Sequence, residues 1–138
     1  RVRVIAGDLA GARGPVADIV IDPTLAVVEL EAGAVFSHAP AAGHAVFAHV
    51  LTASGWFEEG EGRRPHGAGT TVLYERAGEM VRIAAANGPI CVLLAAGRPL
   101  GEPVGWRGPI VMNTEEELRQ AFAAYRDGTF LDHRPRGM

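Results

Sequence analysis

The amino-acid sequence predicts an all-β barrel or sandwich closed by one C-terminal α-helix, and three observations carry that prediction. Turn residues recur at short, fairly even intervals, the segments between them are rich in β-branched residues, and a stretch with helical period occurs only near the C-terminus. At 138 residues the chain is long enough to bury a core without disulfide or metal staples, so a single domain is the expectation.

The first element is the alternation Arg1-Val2-Arg3-Val4-Ile5, a strand pattern with no Met and no polar lead-in. Such an opening reads as the continuation of something upstream. Strand-like runs follow over residues 16–21, 25–31, 44–51, 70–76, 80–84 and 90–94. They are separated by Gly14-Pro15, Asp22-Pro23, Ala32-Gly33, Gly43, Ala77-Gly78 and Asn87-Gly88-Pro89, residues that set turn dihedrals or remove a backbone donor. Residues 44–51 are apolar on both faces, which predicts a central strand covered on its outer side by another layer or domain. Trp56 and Phe57 are expected as strand residues capping the barrel mouth, and residues 58–69, charged and Gly-rich, as a flexible hairpin excursion.

The helix is expected over about residues 115–127. Thr114 serves as N-cap with Glu117 at the third helical position, a capping box, and Glu115, Glu116 and Glu117 complement the positive end of the helix dipole. Leu118, Ala121, Phe122 and Tyr125 recur at i, i+3, i+4 and i+7, and Gly128 supplies the stop. The domain is therefore drawn over residues 1–131, with residues 132–138 as a flexible tail.

Composition narrows the function. A net charge of −3, with 13 basic against 16 acidic residues, supplies no basic stripe for tracking a phosphate backbone, so direct nucleic-acid binding is not expected. Every basic residue is Arg, a bias we attribute to a GC-rich coding genome. The single cysteine, Cys91, lies in an apolar run, which predicts a buried thiol in a reducing compartment. No apolar run approaches the ~20 residues needed to span a bilayer. A soluble, cytoplasmic protein without membrane association is the expectation.

Two motifs near the C-terminus resemble the second domain of the pirin family: Gly97-Arg98-Pro99-Leu100-Gly101-Glu102-Pro103-Val104 and Gly108-Pro109-Ile110-Val111-Met112-Asn113-Thr114. Val2-Arg3-Val4-Ile5-Ala6-Gly7 followed by Gly14-Pro15-Val16 is similar to the opening of that domain, as is Leu30-Glu31-Ala32-Gly33-Ala34-Val35-Phe36 ahead of the strand over residues 44–51. The resemblance implies a cupin-type jelly roll, one half of a two-cupin protein whose metal-binding N-terminal cupin is absent from this chain. It further implies that the missing half carries iron, held by three His and a Glu. The family is linked to quercetin 2,3-dioxygenase activity and, in eukaryotes, to redox-dependent co-regulation of transcription factors.

Aligned on that pattern, His38 takes the place of the first His, Pro40 the second and Ala45 the Glu, while the later His falls at or near Cys91. One ligand survives, so this chain is expected to hold no metal, no cofactor and no complete catalytic site. His38 and His44 are the only metal candidates, with Glu31 as a third donor if the intervening loop folds back. His44 and His49 are five apart on one strand and so face opposite sides. His66, in the excursion, and His133, in the tail, read as solvated or hydrogen-bonded structural residues. Ser37 and Ser54 lack a nucleophile elbow, and Gly11-Ala12-Arg13-Gly14 lacks the third Gly of a dinucleotide fingerprint. Glu58, Glu59 and Glu61 have nothing around them to separate their pKa values.

Two functional readings follow. In the first, the chain is a structural and interaction module for an iron-binding N-terminal cupin, its expected partner. In the second, it is a free-standing small-molecule-binding or metal-dependent cupin with a rearranged site, a ligand held in the barrel by Phe36, His38, His49 and Trp56.

Overall fold

The computed structural model describes residues 1–58 and 63–131. Thirteen strands precede one helix among them: β1 (Val2–Ala6), β2 (Asp8–Leu9), β3 (Ala12–Arg13), β4 (Thr24–Leu30), β5 (Val35–His38), β6 (Ala45–Thr52), β7 (Ser54–Trp56), β8 (His66–Gly67), β9 (Thr71–Leu73), β10 (Val81–Ala85), β11 (Ile90–Gly97), β12 (Gly105–Arg107), β13 (Ile110–Met112) and α1 (Glu115–Arg126). The chain divides into two compact units, residues 1–99 and 100–138.

The first unit is the jelly roll. A five-stranded antiparallel sheet in the order β1-β4-β11-β6-β9 and a four-stranded sheet in the order β5-β10-β7-β8 enclose one core. Because side chains alternate across a strand, every second residue enters that core. These are Ala26, Val28 and Leu30 of β4, Val46, Ala48 and Val50 of β6, Val81, Ile83 and Ala85 of β10, and Ile90, Val92, Leu94 and Ala96 of β11. Register sets how they fit. Leu94 pairs with Ala26 on one side and Ala48 on the other, so one large side chain occupies the space that two small ones leave. Val92 sits between Val28 and Val50 in the next row. The centre of the barrel is thereby filled with side chains.

The strand expected over residues 16–21 does not form. Asp18 and Asp22 take left-handed backbone, φ 60° and 48°, which breaks an extended run, and only Val16 bridges to the sheet, at Ala6. Val20 is consequently 84% exposed. The segment is tied instead at its end, where the Arg98 amide donates to the Ile21 carbonyl, 2.8 Å away. Gly7, at φ 72°, lets Pro23 pass close, since a Cβ there would strike the Pro23 carbonyl. The expected excursion over residues 58–69 is shorter than its composition suggests, since His66 and Gly67 form β8 and pair with β7. Residues 59–62, and with them Glu59 and Glu61, lie outside the described residues, as do the tail and His133.

The second unit is a β12–β13 hairpin with α1 packed on it. Ile110, Leu118 and Ala121 form its core, with Met112 and Phe122 against them. The hairpin itself has no counterpart in the expected elements. Thr114 caps α1 as expected: the Glu117 amide donates to its hydroxyl, and the Thr114 amide donates to the Glu117 carboxylate, 2.9 Å away. Asp127 caps the C-terminal end, and Gly128 follows at φ 77°. Tyr125, the last residue of the predicted stripe, is exposed. No helix among the described residues is long and apolar enough to cross a membrane.

Candidate functional site

The mouth of the barrel lies where β5 ends and β6 begins. On β5 the half-buried residues Phe36 and His38 alternate with exposed Val35 and Ser37, so His38 is the last inward-facing residue before the chain turns. Its neighbour across the ladder on β10 is Val81, as Phe36's is Ile83. Partial burial holds the His38 imidazole below the ordinary histidine pKa and favours its neutral form. Beyond it the chain reverses through Gly43, at φ 79°, and the His44 amide donates to the Ala41 carbonyl. This turn drops His44 at the foot of β6, where it is only 9% exposed.

Tyr74 spans the two sheets. Its amide donates to Val46 of β6, and its hydroxyl donates to the carbonyl of Arg82 on β10 at 3.2 Å. Burial pushes the phenol's pKa up, so Tyr74 is a neutral hydrogen-bonding group. Between these residues lies a cleft of about 370 Å³, walled by Pro40, His44, Val46, Tyr74, Arg76 and Met80.

The residues that sequence reasoning singled out are thus dispersed. His38 and His44 both belong to the mouth, but Glu31 is exposed at the far end of β4, and no group of three His, Cys, Asp or Glu side chains able to hold a metal occurs among the described residues. His49 faces away from the interior, alternating with buried Ala48 and Val50, and its Nδ1 lies 2.8 Å from the Thr71 hydroxyl. It cannot line a ligand site inside the barrel. His66 packs edge-on against Phe57, ring centres 6.0 Å apart. Phe57 is a core residue, while Trp56 carries the Arg63 guanidinium 5.0 Å over its ring.

Cys91 is placed differently from expectation. It is half-buried, and it lies on the outer face of β11, because buried Ile90 and Val92 flank it. The residue that faces His38 from a later strand is Val81. Tested against a donor set of three His and a Glu, the mouth does not fit, since Pro40, Ala45 and Val81 carry no side-chain donor. Sequence reasoning missed Tyr74 and Arg76. Their signal is the end of the β9 run at a polar Tyr-Glu-Arg, which only the fold brings opposite His44.

Comparison with known proteins gives a consistent picture. The family model of the pirin C-terminal cupin domain matches residues 25–131. A pirin-like protein of Caulobacter vibrioides is 36% identical over 132 residues, covering 94% of this chain and 45% of that protein. A pirin-like protein of Arabidopsis thaliana is 32% identical over 140 residues, 93% of this chain and 43% of its own length. Among solved structures, the crystal structure of quercetin 2,3-dioxygenase from Acinetobacter baumannii superposes with a TM-score of 0.84 at 26% identity, over 94% of this chain and 43% of that one. The chain spans less than half the length of these relatives.

Proposed function

The chain belongs to the pirin family as a C-terminal cupin domain, and from that premise we propose that it is a metal-free structural and interaction module for an iron-binding N-terminal cupin of the same protein. The observation that carries this reading is the contrast between a retained jelly roll and a mouth where Pro40, Ala45 and Val81 stand in place of donors. A domain kept for its own metal chemistry keeps its ligands; one kept for its surface keeps its fold.

The outer face of the five-stranded sheet supports the same reading. Leu25, Ala95, Phe47 and Leu73 form an apolar row across four strands by their registers, with Val27 and Leu93 in the row beside it, and Leu73 is 75% exposed. Such a face gains from being covered. In the parent protein this module supports a partner domain of quercetin 2,3-dioxygenase type, within a cytoplasmic setting that suits a lone thiol.

The test is made in a two-cupin protein that contains this chain. Replacing Phe47 and Leu73 together by Ser is expected to speed iron loss from the N-terminal cupin to a chelator and to lower its thermal midpoint. If deleting the whole chain left both quantities unchanged, the reading would be wrong.

A further inference from the structure

We propose that the cleft at the barrel mouth binds a small organic monocarboxylate with an apolar body, its carboxylate held between His44 and Arg76. Such a site goes beyond the supporting role above and stands independently of it.

His44 motivates the idea. Among the described residues it is the only buried polar one, at 9% exposure, and its imidazole makes no hydrogen bond with a described residue. Yet no sealed nitrogen or oxygen among the described residues lacks a partner, so the ring nitrogens of His44 open on the cleft that the residue lines. Those nitrogens are therefore available to a ligand that displaces water from the cleft. Whatever its tautomer, imidazole presents at least one N–H donor.

Arg76 lines the same cleft, and its guanidinium makes no ion pair with a described residue. A guanidinium fork matches a carboxylate in shape and charge. The remaining wall limits the ligand. Pro40, Val46 and Met80 favour an apolar body, and a volume of about 370 Å³ suits one ring or a branched chain. Tyr74 has already committed its proton to the Arg82 carbonyl, which leaves it only an acceptor. Glu75 on the same rim opposes a second negative charge, so one carboxylate is favoured over two.

Benzoate is a suitable probe, with neutral benzamide and doubly charged terephthalate as controls. Titrated into the isotopically labelled 138-residue chain and followed by NMR, benzoate is expected to give saturable shifts at the His44 ring and the Met80 methyl, with both controls roughly tenfold weaker or worse. Arg76→Gln, at an exposed position, should weaken benzoate binding about tenfold while leaving the rest of the spectrum in place. His44→Phe should do the same by filling the site without a donor; if it fails to fold, the Arg76→Gln result decides. The proposal is overturned by an absence of saturable shifts, by benzamide binding as well as benzoate, or by Arg76→Gln binding benzoate as tightly as the parent chain.

Discussion

The centre of the barrel and its mouth belong to one jelly roll, and they obey different rules. At the centre, Leu94 between Ala26 and Ala48 and Val92 between Val28 and Val50 solve a problem of volume. Every group there is apolar, and its fit depends only on its size. At the mouth, the β5–β10 ladder ends at His38 and Val81, His44 precedes β6, and the requirement is that polar groups find partners. The comparison teaches that the close-packed centre of a jelly roll constrains the size of its side chains, whereas its mouth leaves room for polar ones.

Substitution at the centre should have the largest effect. Leu94→Ala places three alanines in one row and leaves a void that the flanking strands cannot close, so urea unfolding should show a loss of about 2–5 kcal/mol. A loss below about 1 kcal/mol would mean that the centre is not close-packed, and the contrast with the mouth would collapse.

Tyr74→Phe tests the link between the sheets at the mouth. Removing the hydroxyl deprives the Arg82 carbonyl of one donor and should cost about 1 kcal/mol in the same assay. On the outer face, Thr71→Val removes the partner of His49 where water replaces it, and the expected change is within about 0.5 kcal/mol. If the outer-face change exceeded that of Tyr74→Phe, the mouth would not be the more constrained of the two.

The smallest effect concerns pH. His38 has its folded-state pKa below the ordinary 6.5, so the unfolded chain binds the proton more readily. Its contribution to stability is complete above that value and is lost as pH falls through 6.5 toward the folded-state pKa. Urea midpoints measured down that range should fall less steeply in His38→Gln than in the parent chain. Equal slopes would show that the imidazole is as solvated at the mouth as in the unfolded chain.

Much of the fold was legible because strand period and capping are local signals. The β-branched runs that became β4, β6 and β11 and the Thr114–Glu117 box needed no tertiary information, and α1 runs over Glu115–Arg126 against an expected 115–127. The run over residues 16–21 misled because two aspartates adopt left-handed backbone that β-propensity does not register. The β12–β13 hairpin was hidden in the Gly108-Pro109 stretch, where three-residue strands are too short to show a period. The site was legible in part. His38 and His44 were visible as residue types, but which residue faces His38 is a matter of register across the four-stranded sheet, and spacing alone did not show that Val81 pairs with it or that Cys91 lies on the outer face of β11. Tyr74 and Arg76 lie about thirty residues from His44 in sequence, and no local pattern joins them.

The central claim is that this cupin keeps its barrel without the donors for iron. Its most direct test is the metal content of the purified 138-residue chain after anaerobic equilibration with ferrous iron and removal of the unbound ion. The account predicts iron well below one ion per chain, unchanged in a His38→Ala variant. A stoichiometric ion that disappears in both His38→Ala and His44→Ala would contradict it.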